Sequence, residues 1–137
     1  MTDPSFDKQL AEAREEVKLG EQALVAGEAD RKRAEEERMR TGPGRWFVET
    51  GCSTCHSIQV YGVRSPAQIG PDLSNAVEDV QSRFGRTIDD FLANPTGTMS
   101  VVLSRQIILT PEEKAVAIQK LREAFALYEQ QRAEKER

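Results

Sequence analysis

Histidine occurs once and cysteine twice in this chain of 137 residues. With so few soft donors, no second Cys or His cluster exists to complete a four-ligand structural zinc site. Long apolar runs are also lacking. None approaches the roughly 18 residues that span a bilayer, and the opening MTDPSFDKQL has neither the basic nor the apolar region of a secretory signal. An excess of one charge is missing too: 19 Lys and Arg stand against 23 Asp and Glu, a formal charge of -4. That balance does not fit a polyanion partner.

The charge that is there is unevenly placed. Residues 1–43 hold 11 acids and 8 bases but few large apolar side chains, whereas residues 44–137 hold nearly all the aromatics. We read a charged helical arm, 1–43, followed by a compact domain, 44–137. A domain of about 90 residues buries little surface, so a large apolar cofactor would help fill its core.

Asp3-Pro4 reads as an N-cap followed by proline at the first helical position. Phe6, Leu10, Ala13 and Val17 then form one narrow apolar stripe, which fades around Gly20 and Gly27. The following EADRKRAEEERMR is built from strong helix formers with little to bury. Thr41-Gly42-Pro43-Gly44 ends the segment. The arm reads as a solvated helix or linker, with a tether or docking helix as the sharper alternative.

In the domain, RWFVETG forms a short aromatic helix running into the cysteines. The stretch from Ser57 to Asn75, broken by Gly62, Pro66, Gly70 and Pro71, is loop. Ser74 to Phe84 and Thr87 to Leu92 fit two short helices, the second capped by Thr87 and stopped near Asn94-Pro95. Thr110-Pro111-Glu112-Glu113 is a capping-box helix start, and Ala115, Ile118, Leu121, Ala124, Phe125 and Tyr128 continue it at helical spacing. The expected class is all-α.

Both cysteines and the histidine fall within five residues, Cys52-Ser53-Thr54-Cys55-His56. Cys-X-X-Cys-His is the spacing of a c-type haem attachment site: two thiols add to the two vinyl groups, and the adjacent imidazole reaches the iron. A redox Cys-X-X-Cys calls for a βαβ setting that this chain lacks. No second histidine remains for the other axial position. Of three methionines, Met1 is terminal and Met39 lies in the arm, which leaves Met99 in NPTGTMSVV.

The order of these features resembles the class I c-type cytochromes over roughly residues 44 to 129. An aromatic helix ends in Gly-Cys-X-X-Cys-His, GPDL follows at Gly70 to Leu73, then a short helix before a proline, Met99, and a C-terminal amphipathic helix. The resemblance implies a small cytochrome c fold of four to five helices around one covalent haem c. It implies that His56 and Met99 are the iron ligands and that the Pro71 carbonyl accepts the other imidazole proton. It also implies that Phe47 crosses Phe125 or Tyr128 where the first and last helices meet. Two features depart from the family: Ser100, not proline, follows Met99, and the arm has no counterpart in the minimal fold.

Iron held by imidazole and thioether has no open position, so the expected function is one-electron shuttling between a redox donor and acceptor, without a small-molecule substrate. Arg64, Arg83, Arg86 and Arg105 are candidates to face haem propionates. The resemblance implies a periplasmic or equivalent space, with the protein either free or a subunit of a membrane-associated complex. The arm would then continue upstream into a tether. Two other functions are carried: a haem sensor or enzyme with a labile Met99, and an interaction protein using residues 6, 10, 13 and 17 as a dimer seam.

Overall fold

Pro4 to Thr41 form a single helix, α1, of 38 residues, about 57 Å at 1.5 Å per residue. This is a computed structural model and describes residues 4–136; the expected Asp3 cap lies outside them. Helix-forming Ala, Glu, Lys and Arg carry α1 through Gly20 and Gly27, each of which costs about 1 kcal/mol against alanine. None of its residues is buried. It ends at the Thr41-Gly42-Pro43-Gly44 punctuation.

The chain divides into two compact units, up to Glu37 and from Arg38 onward. The division falls in the last turn of α1, where Met39 packs on the core of the second unit and Arg38 Nε donates to the Gly62 carbonyl at 3.4 Å. The composition change at residues 43 and 44 lies just beyond it.

The second unit is all-α. Five helices follow: α2 (Arg45–Thr50), α3 (Ala76–Phe84), α4 (Ile88–Ala93), α5 (Thr98–Val101) and α6 (Pro111–Lys135). Among the described residues there is no strand, only an isolated antiparallel bridge between Ile58 and Val63. Three 3₁₀ turns, Cys52–Thr54, Gln59–Tyr61 and Leu73–Asn75, replace α-helix where the chain must change direction. A π-helical stretch, Val102–Gln106, continues α5. No described helix is long and apolar enough to cross a membrane.

Caps fix the helix starts. Thr87 Oγ1 accepts from Asp90 N at 3.1 Å. At α6, Glu113 N donates to Thr110 Oγ1 at 3.1 Å and Thr110 N donates to Glu113 Oε1 at 3.0 Å, the full reciprocal box. Helix α6 then packs on α3, α4 and the Gln59–Tyr61 and Leu73–Asn75 turns. Its buried face is Ala117, Leu121 and Ala124, with Ala115 exposed. Of the expected stripe Leu121 and Ala124 are buried and Ile118, Phe125 and Tyr128 half-buried; Ala117 takes the place of Ala115 at its start, because the elements α6 packs on set which edge is covered.

The core gathers Phe47, Ile58, Val63, Val80, Phe91 and Leu92 around that face. The expected crossing of Phe47 with Phe125 or Tyr128 is corrected. Phe47 meets Trp46 edge-on at 5.4 Å, whereas Phe125 and Tyr128 stack on each other at 6.2 Å. Phe47 instead shares a cavity wall with Ala117 and Leu121, at least a turn earlier on α6.

Candidate functional site

Gly51 makes the approach to the cysteines possible. It closes α2 in the left-handed conformation, φ 97°, donating to the Val48 carbonyl at 3.2 Å. The chain turns there, so the cysteines sit on a 3₁₀ turn and not on a continuation of α2. His56 N donates to the Cys52 carbonyl at 3.0 Å, an α-type turn that spans the whole motif.

The loop after the motif folds back onto it. Gly70 N donates to the Cys55 carbonyl at 2.8 Å, and Leu73 N to the Ser57 carbonyl at 2.9 Å. These bonds bring Pro71 to the histidine: its carbonyl lies 2.6 Å from His56 Nδ1. A carbonyl only accepts, so Nδ1 carries a proton, and in the neutral imidazole that tautomer leaves the lone pair on Nε2. A Cβ on Gly70 would fall inside van der Waals contact of the imidazole ring. Only glycine leaves room for the ring at this place.

Two buried serines hold the loop shut. Ser65 Oγ donates to the Thr54 carbonyl at 2.8 Å and accepts from Gln68 N at 3.1 Å. Ser74 Oγ accepts from Val60 N at 3.1 Å. Asp72 Oδ1 accepts from Ser74 N at 2.8 Å and from Gln59 N at 3.3 Å. Sequence reasoning did not find Ser65, Ser74 or the steric role of Gly70. Serine between Pro and Gly looks like solvated loop, and only burial separates the two cases.

Cys52, Cys55, His56 and Met99 all line one cavity of about 360 Å³. Its other walls are largely apolar: Trp46, Phe47, Leu92, Leu103, Ile107 and Leu121 are among them. The size and character suit a small-molecule or cofactor site. Met99 is half-buried against the core and arrives on α5, with the π-helical residues Val102, Leu103 and Gln106 beside it on the wall. Such π segments are rare and often mark functional sites.

Burial pushes the Cys52 thiol up to about 11, against the opposing pull of a backbone hydrogen bond. A redox dithiol needs the opposite shift, toward thiolate at neutral pH. Among the described residues no group of three or more His, Cys, Asp and Glu comes together to hold a metal ion.

None of the four candidate arginines lines the cavity. Arg83 pairs with Asp79 at 2.9 Å and Arg86 with Asp90 at 3.0 Å. Arg64 and Arg105 are exposed.

Comparison of the chain with protein-family models, with characterised proteins and with solved structures finds no match.

Proposed function

We propose that this chain is a monohaem c-type cytochrome that carries single electrons between redox proteins. The observation that carries the reading is the shared cavity: Cys52, Cys55, His56 and Met99 line one apolar chamber, with the imidazole already fixed by Pro71. The residues fit a haem c on the chemistry of the donor set and of the cavity lining. Two thiols flank a turn, His56 Nδ1 is engaged by the Pro71 carbonyl, the Met99 thioether lines the same cavity, and Gly70 clears the space the imidazole ring occupies.

A haem bound there supplies one-electron exchange at its iron. Cys52 and Cys55 would hold it covalently, and His56 and Met99 would be the donors to its iron. Pro71 fixes the imidazole tautomer and raises the basicity of Nε2. Leu92, Leu103 and Leu121 keep water out, and an apolar wall with thioether ligation favours the reduced form. On this reading the protein has a redox donor and acceptor, no substrate to transform, and a periplasmic or equivalent location. It works free or as a subunit of a membrane-associated complex.

Expression in a host that matures c-type cytochromes tests this directly. The reduced pyridine haemochrome should be that of haem c, and the oxidised protein should show a weak far-red sulfur-to-iron band that Met99→Ala removes. A colourless protein of bare polypeptide mass would falsify the reading.

One observation favours a second reading. Met99 sits on a four-residue helix that passes straight into the π-helical stretch, a short support for an axial ligand. If Met99 is labile, the protein is a haem sensor or haem enzyme, and the reduced form binds carbon monoxide at neutral pH.

A further inference from the structure

Helix α1 carries an apolar face with a size pattern. Its large members Leu10, Val17 and Leu24 recur every seven residues, and so do its small members Ala13, Gly20 and Gly27. The two sets alternate at spacings of three and four, the seam of a two-stranded coiled coil. Leu10, Val17 and Leu24 are 40%, 61% and 69% exposed. A Cβ built on Gly20 or Gly27 meets nothing within 4 Å. Glycine inside an exposed helix weakens it, and neither position has a positive φ that would require glycine.

We propose that α1 pairs with α1 of a second copy of this chain, antiparallel. Size selects the orientation. In a parallel pair equal positions meet, so glycine would face glycine and leave those layers hollow. In an antiparallel pair the two kinds of seam position face each other. The register that sets Val17 over the partner's Gly20 also sets Leu10 over the partner's Gly27 and Leu24 over the partner's Ala13. Every layer between residues 10 and 27 then holds one large and one small residue, with Phe6 over the partner's Arg31 at the ends, and the backbones approach closely where glycine lies.

Charge selects the same orientation. A parallel pair would place Glu16 beside the partner's Glu21 and Asp30 beside the partner's Glu35, like against like. The antiparallel register places Arg14 beside the partner's Glu21, twice by symmetry. Arg14 has no acidic residue three or four positions away on its own helix. It makes no ion pair among the described residues. The like-charged contact that remains, Asp7 beside the partner's Glu28, falls at the ends of the overlap, where solvent screens it. The pairing stands apart from the haem reading, since every residue it uses lies before Arg38.

Sedimentation velocity of the full-length, cofactor-loaded protein across the micromolar range tests it, with twice the monomer mass expected. Leu10→Ala with Leu24→Ala empties the large side of the seam and should raise the dimer dissociation constant by about tenfold or more. Alanine is the strongest helix former, so the helix propensity of the arm is kept, which separates lost pairing from lost folding. Arg14→Glu should weaken the dimer, and adding Glu21→Arg should restore it. For orientation, Ala13→Cys protein mixed with Leu24→Cys protein should cross-link between chains, whereas Ala13→Cys alone should not. A monomer at every concentration, a higher oligomer, a 13-to-13 cross-link, or no rescue by the charge swap overturns the proposal.

Discussion

Around His56 three neighbours divide the work: Gly70 leaves space for the ring, Pro71 accepts its proton, and the Cys55 carbonyl holds Gly70 in place. Gly70→Ala should therefore displace the imidazole. In haem-loaded protein the expected outcome is loss of the low-spin absorption spectrum, while Ile69→Ala, at an exposed neighbouring position, leaves it intact. Ser65→Ala removes a buried hydroxyl and strands the Thr54 carbonyl and the Gln68 amide. Thermal or urea unfolding should show a loss of about 1–3 kcal/mol. Tyr61 supplies a pH signature. Burial first, and the Glu123 charge second, raise its phenol above the ordinary value. The folded pKa lies above the unfolded one, so this contribution is complete below the ordinary phenol range and fades as pH rises through the folded pKa. Alkaline spectrophotometric titration should show a late component that Tyr61→Phe abolishes and Glu123→Gln moves to lower pH.

At the scale of elements, α6 begins where Thr110 and Glu113 exchange bonds. Thr110→Ala should cost about 1 kcal/mol, lowering the melting temperature by about 4–8 °C in a domain of this size, and Thr110→Ser should recover most of it. Such caps are local, which is why Thr87, Thr110 and the Thr41-Gly42 stop could be read from a few letters. The 3₁₀ turn under the cysteines and the π segment after Met99 could not. At the cysteine turn the Thr54 and Cys55 carbonyls accept from Ser65 Oγ and Gly70 N, and a propensity window contains no trace of those partners. The aromatic crossing failed for a related reason. Helical spacing names the residues that share a stripe but not the turn at which a neighbour meets them, and Phe47 shares its wall with Ala117 and Leu121.

The whole molecule separates a helix with no buried residue from a unit that holds every residue of the candidate site. The cavity walls run from Trp46 to Leu121. Deleting residues 2–37 should therefore leave the haem absorption bands and the reduction potential unchanged. Potentiometric titration of the two forms checks this; a shift in potential would show that the arm reaches the site.

The site was legible where covalent chemistry dictates spacing. On the proposed haem reading two thiols and an imidazole must be close in sequence to grip one flat ring; Met39 packs on the core of the same unit as Met99, and it is the cavity, lined by Met99 and not by Met39, that separates the two thioethers. By itself the sequence therefore determined the all-α class and the helix caps and named the residues of the proposed donor set, since each depends on residue type or on neighbours within a turn. Tertiary structure alone decided which polar groups were buried and which were solvated, where Gly70 meets the imidazole, and which edge of α6 faces inward. Those depend on distances between segments far apart in the chain, and nothing in the order of residues states a distance.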